Sequence, residues 1–283
     1  MLSGVAKQAR RIQLRQELTD FQREIHLDPD FPKYIYHYAP ASSICKILES
    51  KQIRLFDTHS MKNDPLDGRQ WIDVFGQILN RKNVPSFVRY NFAPSSPLYT
   101  RWCYSFTACF SSNCELPQQW TDFADHGKGC AIEFAFDAIQ KRSDDGRYFG
   151  WTPMLYGEQD QITRAEKTID TAVRLRRRYS DLNDTDYWAD AMFSFLCCGA
   201  RFKPEKYRDQ DEWRIFMDRP DECEDIKNQG RDYIPVPLTS DMVTGVVRGP
   251  NCECSEDELA ELLTKSGYPV SIRTICLTSA IAS

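Results

Sequence analysis

No apolar run in this chain approaches the ~20 residues that a membrane-spanning helix needs. The opening stretch, MLSGVAKQARRIQLRQEL, carries charge but no apolar core of the kind a secretion signal has. An excess of basic charge is missing too. Thirty-six Lys and Arg stand against 41 Asp and Glu, a net of −5, which excludes a strongly basic nucleic-acid binder as the default. No glycine-rich phosphate loop is present, because GRYFGWTPMLYG has the wrong spacing for a P-loop or a dinucleotide fingerprint. No Gly-x-Ser-x-Gly elbow occurs either. Internal repeats and a clean linker are also lacking.

Cysteine is abundant, with eleven residues, but the count is odd and the spacing irregular. Without an export signal this reads as reduced thiols and a cytoplasmic location, not as a disulfide framework. A metal site is not expected. Cys103, Cys109 and Cys114 have five and four residues between them, which is no zinc knuckle even with His126 and Cys130 added. The NCEC stretch near residue 252 has no partner pair nearby in sequence. Buried small thiols account for most of these residues.

What is present is an α+β pattern of ordinary composition, 41% hydrophobic and 12% aromatic. Leu14, Leu18, Phe21 and Ile25 recur at helical spacing and predict a helix over 4–26, ended by HLDPDFP. KYIYHYA predicts a strand. PASSICKILES predicts a short helix with a Ser-rich cap, and QIRLF a returning strand. SMKNDPLDGR is turn chemistry, in which Asn63, Asp64 and Asp67 either cap the next helix or line a cleft. WCYSFTACFSS alternates cleanly: Trp102, Tyr104, Phe106, Ala108 and Phe110 form a core face, and Cys103, Ser105, Thr107, Cys109 and Ser111 a small, faintly polar one. That small face either packs under a helix or admits a ligand close to the sheet. QQWTDFADHGKG predicts a short helix with Trp120 and Phe123 in the core and glycines in a turn, followed by the strand CAIEFAF. DEWRIFMD, MVTGVVRGP and PVSIRTICL predict further strands, and SEDELAELLTKSG a helix capped by Ser255. The simplest organisation is an N-terminal helical extension over 1–30 and one domain over 31–283 with a helical insertion at about 160–200.

Four segments in order resemble the bacterial family DUF2971, a domain of unknown function. They are YHYAP with ICKILESKQIRLF, SMKNDPLDG, CFSSNCELPQQWTDFADHGKGCAIEF and FKPEKYRDQDEWRIF, spanning roughly 34–277. The resemblance implies an α+β fold with antiparallel or mixed sheets and flanking helices, and no settled activity.

Strand alternation places Gln210, Glu212 and Arg214 on one face of DEWRIF, a Gln-x-Glu pair turned away from the core. An early His37, a middle Ser/Thr face and this late Glu follow an order similar to that of the ADP-ribosyltransferase superfamily. There an early His or Arg, a middle Tyr or Ser and a late Glu bind NAD and cleave its nicotinamide bond. The resemblance implies a split sheet, Glu212 as the catalytic carboxylate and Gln210 orienting the acceptor. It implies His37, Tyr38, Tyr104 and Ser105 around NAD. The DUF2971 pattern usually has Glu where this chain has Gln210, which predicts weaker help in deprotonating an acceptor. The structural alternatives are an ion pair of Glu212 with Arg214 or Lys203 and a hydrogen-bonded strand histidine at His37. The rival functions are a non-catalytic nucleotide- or nucleic-acid-binding protein and a structural interaction module. For nucleic acid, RLRRRYSD sets Arg174, Arg177 and Arg178 on one helix face, with Tyr179 and Trp188 as stacking surfaces.

Overall fold

The computed structural model describes residues 4–26, 31–57, 70–93, 106–144, 149–199, 201–217 and 226–276. The chain divides into two compact units. One comprises Met1–Pro29, Thr58–Ser105 and Met154–Glu205; the other comprises Asp30–Asp57, Phe106–Pro153 and Lys206–Ser283. Among the described residues no helix is long and apolar enough to cross a membrane.

The first unit is helical. It contains α1 (Gly4–His26), α3 (Gln70–Arg81), α4 (Ser86–Phe92), α7 (Glu158–Arg178) and α8 (Asp184–Gly199). The period read from sequence holds along α1, whose Leu14, Leu18, Phe21 and Ile25 are all buried. Phe21 meets Phe195 of α8 edge-on at 5.8 Å. The other faces of α1 are tied down by charge. Arg10 donates to Asp181 at 2.8 Å, Arg11 to Asp190 at 2.6 Å, and Glu17 receives Arg174 at 3.2 Å and Arg178 at 3.1 Å.

The second unit is built on a mixed ten-stranded sheet. Its strands are β1 (Tyr34–Ala39), β2 (Gln52–Asp57), β3 (Phe106–Ser111), β4 (Cys130–Ala135), β5 (Phe149–Pro153), β6 (Glu212–Met217), β7 (Lys227–Asn228), β8 (Asp232–Pro237), β9 (Val243–Arg248) and β10 (Ser271–Thr274). The main path runs β10-β9-β4-β1-β3-β2-β8-β7, and β6 pairs with β3 and β5. Only β9 and β10 are parallel neighbours; the other ladders are antiparallel. This is the α+β class expected.

Alternation sorts the sheet into two faces. Ile35, Phe106, Ala108, Phe110, Ile132, Trp213 and Ile215 belong to the main core. Helices α2 (Ala41–Ser50) and α9 (Glu256–Ser266) cover that core with Ile44, Leu48, Leu259 and Leu263. A smaller cluster lies on the opposite face: Tyr36, Tyr38, Ala131 and Val247 around Trp120 of α5 (Pro117–Asp122). A last helix, α6 (Phe136–Asp144), follows β4 directly.

Two local expectations need correction. The N-cap of α2 is Pro40 and no side chain caps it, so the Ser pair lies inside the first turn. Phe123 is 37% exposed, whereas Trp120 is fully buried and donates its indole N–H to the Cys114 carbonyl at 2.8 Å. The helix ends at Asp122, so Phe123 no longer shares the buried stripe with Trp120. Asp125, His126 and Gly127 then turn the chain with positive φ. The Ser255 capping box forms as its sequence implies: Ser255 Oγ accepts from Glu258 N–H at 3.2 Å, and Glu258 accepts from Ser255 N–H at 2.8 Å.

Candidate active site on the sheet

One edge of β3 is shared by two strands. Strand β1 pairs with it at Tyr36↔Ser111, and β2 pairs with it at Phe56↔Thr107 and Asp57↔Phe106. Between these pairings, at 108–110, the two neighbours diverge and the sheet splits. A split leaves backbone groups to be satisfied by something other than a ladder. His37 supplies one partner, with Nδ1 2.9 Å from the Cys109 carbonyl. A carbonyl only accepts, so Nδ1 carries the hydrogen and Nε2 the lone pair. Burial pushes the His37 pKa below its ordinary value, and the Cys109 bond works the other way without reversing it. The ring is therefore neutral at neutral pH.

Across the other edge of β3 lies β6, in the register Ser111↔Glu212, Cys109↔Arg214 and Thr107↔Phe216. The strand with the early His, the strand with the small polar face and the strand with the late Glu are thus adjacent, in the order β1-β3-β6. The pairing also continues outward as one row: Gly245↔Glu133, Glu133↔Tyr36, Tyr36↔Ser111 and Ser111↔Glu212. Four polar side chains from four strands stand side by side on one face.

Both ends of that row are buried carboxylates. Glu212 is 5% exposed and takes the Arg214 guanidinium, itself 4% exposed. Glu133 is 5% exposed and accepts from Thr244 Oγ1 at 3.0 Å, Tyr36 O–H at 3.1 Å and Arg273 at 2.7 Å. Its niche is made by two backbone devices. The register slips between Glu133 and Phe134, so Thr244 is an extra residue that turns its hydroxyl onto the carboxylate. Opposite stands Gly245, where a Cβ would come within 3.3 Å of Glu133 Oε1. Burial raises the Tyr36 pKa, and its neighbours Cys114 and Glu133 add to it, so the phenol stays protonated. Burial opposes the charge on Arg273, yet its bonds to Cys114, Glu133 and Tyr36 prevail and hold the guanidinium charged. Three strand spacings of ~4.8 Å put the Glu133 and Glu212 backbones about 14 Å apart, at opposite ends of the row.

Not every residue expected at the site joins this row. His37 alternates with Tyr36 and starts from the opposite face, reaching the split through its ring. Tyr38 shares the Tyr36 face, but its hydroxyl donates to the Asn113 carbonyl at 2.7 Å and its ring meets Trp120 edge-on at 5.0 Å. Gln210 is not in a strand. It ends the 3-10 turn Glu205–Gln210, and Asp211 follows with φ +44°, so strand alternation does not relate Gln210 to Glu212. The Gln210 carbonyl accepts from Gln119 at 2.8 Å, and Ser112 N–H donates to the Asp211 carbonyl at 3.2 Å. These bonds anchor the turn that delivers Glu212. Tyr104 and Ser105 lie outside the described residues, as do Asn63, Asp64, Asp67 and Cys103.

Sequence reasoning missed Glu133, Tyr36, Arg273 and Arg231. One signal was available: Glu133 is the lone charge inside the apolar run CAIEFAF, where burial on both faces is expected. Arg231 stacks over the Phe56 ring at 4.5 Å, on the sheet face that also carries Thr107. Burial lowers its pKa, with Asp57 and Cys109 acting in the opposite sense. Of the arginines expected to touch nucleic acid, Arg174 and Arg178 both engage Glu17, and Arg177 is exposed.

No curated protein and no solved structure matches this chain. Residues 119–215, about a third of its 283, match the family described as "Protein of unknown function (DUF2971)", a stretch that carries Trp120, Glu133, Gln210, Glu212 and Arg214.

Proposed function

We propose that the sheet face carrying Tyr36, Ser111 and Glu212 binds NAD and that Glu212 acts on its nicotinamide ribose, an activity like that of the ADP-ribosyltransferases. The observation that carries this reading is the single register row across β1, β3 and β6, which sets an early aromatic donor, a middle Ser and a late Glu side by side. In the reaction the bond from ribose C1′ to the nicotinamide nitrogen breaks and its electron pair leaves with neutral nicotinamide. The ribose is left oxocarbenium-like. A fixed carboxylate stabilises that charge as it develops and holds the ribose 2′-hydroxyl. The acceptor's nucleophile then bonds to C1′ and its proton goes to solvent.

In this reading Arg214 positions Glu212 before substrate arrives, and the pair opens as the carboxylate turns to the ribose. Arg231 offers a planar donor fork suited to a pyrophosphate. His37 is a positioning residue, holding β3 at the split through the Cys109 carbonyl. Gln210 belongs to the turn before Glu212 and helps to hold that turn through the bond from Gln119 to its carbonyl.

The test is nicotinamide release from NAD by the pure full-length chain, alone and with cell extracts as a source of acceptor. Glu212→Gln is expected to cut turnover by on the order of 100-fold or more. A wild-type chain that neither binds NAD nor releases nicotinamide refutes the reading and leaves the row as a structural network in a binding module.

A further inference from the structure

Four thiols from three parts of the sequence meet at one end of β4 and β9. Cys130 begins β4 and is fully buried, and its Sγ lies 3.3 Å from Sγ of Cys252. Cys254 follows two residues on, and Cys45 of α2 is its neighbour. The NCEC stretch therefore does have partners, supplied by tertiary structure.

The backbone around these thiols is built to hold them. Gly249, Asn251 and Glu253 donate to the carbonyls of Gly129, Gly127 and Lys128, each at 3.0 Å. A Cβ on Gly249 would lie 2.1 Å from the Gly127 carbonyl oxygen, and one on Gly129 would lie 2.3 Å from that of Ala39. Only glycine lets these segments approach so closely. Arg248 donates to the Cys254 carbonyl at 2.8 Å, which sets a guanidinium beside the cluster. Among the described residues no group of three or more His, Cys, Asp or Glu is placed to hold a metal ion.

We propose that Cys252 and Cys130 form a peroxide-reactive dithiol, with Cys252 the attacking sulfur and Cys130 the resolving one. Cys252 is partly exposed and Cys130 is buried, which suits those roles. The hydrogen bond from Cys130, with Arg248 nearby, lowers the Cys252 pKa to about 6 although burial opposes it. The Cys252 thiolate attacks one oxygen of hydrogen peroxide and the O–O bond breaks. Hydroxide leaves, to be protonated to water, and a sulfenic acid remains on Cys252. The Cys130 sulfur displaces that hydroxyl, the S–S bond forms, and the Cys130 proton leaves with the hydroxyl as a second water. Two thiols lose two electrons and one peroxide is reduced. Closing the bond requires the sulfurs to move from 3.3 Å to about 2.05 Å.

The test treats the reduced full-length chain with hydrogen peroxide and maps peptides without reduction. A Cys130–Cys252 linked peptide that dithiothreitol reverses is the expected product. Cys252→Ser is expected to slow first thiol loss by at least about tenfold. Cys130→Ser is expected to leave a sulfenic acid on Cys252 that dimedone traps. Should that buried variant not fold, alkylation of wild-type Cys252 by iodoacetamide decides, with a rate midpoint near pH 6 expected. Three results overturn the proposal: linkage of other cysteines, a Cys252→Ser chain that reacts as fast as wild type, or stoichiometric zinc lost on either substitution. None of these readouts involves NAD, so the two proposals stand or fall separately.

Discussion

The helical unit and the sheet unit use charge in opposite ways. In the helical unit, the ion pairs that stitch α1 to α7 and α8 keep their cations partly exposed, even where the Asp190 carboxylate is 4% exposed: Glu17 is 21% exposed, and its partners Arg174 and Arg178 are 56% and 61% exposed. Such pairs gain little in water and hold helices in register. In the sheet unit, Glu133, Glu212 and Arg214 are each at most 5% exposed and stand on a row of strands. A fold gains no stability from burying ion pairs that apolar residues could replace, so buried charge in a sheet is weak evidence for stability and a reason to look for function. The dense basic run that stands out in the sequence is thus largely absorbed by a neighbouring helix. The inconspicuous Glu of CAIEFAF is the one held by three donors.

The sharpest break between the two regions is a charge deletion in each. Arg214→Met leaves Glu212 buried without its guanidinium and is expected to cost about 3–5 kcal/mol in urea unfolding. The double variant Glu212→Gln, Arg214→Met is expected to recover most of that stability and none of the NAD turnover, because it removes both charges. Recovery of turnover with stability would make the pair purely structural. Glu133→Gln is smaller. An amide sets its own donors against those of Tyr36, Thr244 and Arg273, and a loss of about 1–3 kcal/mol is expected.

A pH dependence comes next. His37 has a folded-state pKa below its unfolded value of about 6.5, so the unfolded chain binds the proton first. Its contribution to stability is present above about pH 6.5 and is lost as pH falls from there toward the lower folded value. His37→Asn keeps a donor for the Cys109 carbonyl and is expected to flatten the fall in Tm between pH 7 and 5. An unchanged slope would place the acid sensitivity elsewhere. The smallest effect belongs to the helical unit: Glu17→Gln is expected to cost no more than about 1 kcal/mol, and less at high salt.

Periodic elements were legible in the sequence. The α1 stripe and the alternation of 106–111 follow from side-chain periods that packing preserves. Strand β8 was not, because Pro235 and Pro237 argue against a strand; among the described residues β7 pairs with Asp232 and Tyr233 and does not reach the prolines, so their missing N–H groups cost that edge no ladder bond. Strand β5, FGWTP, has neither period nor β-branched run, and its pairing with β6 makes it a strand. At the site, Glu212 opens a strand as alternation predicts, but Gln210 lies outside it, because nothing in DQDEW announces the positive φ at Asp211. The row itself could not be read from one segment. It depends on which strands become neighbours and on the bulge at Thr244, both of which are long-range facts.

We propose that the Tyr36–Ser111–Glu212 row binds NAD and that its carboxylate acts on the transition state. Calorimetric titration of NAD into wild type and Glu212→Gln, beside their nicotinamide release, tests this most directly. The variant keeps an acceptor for Arg214, and a circular dichroism melt establishes that it is folded. Dissociation constants within about threefold of each other are expected, with turnover lower by on the order of 100-fold or more in the variant. Absence of NAD binding by folded wild type, or equal turnover in the two chains, would contradict it.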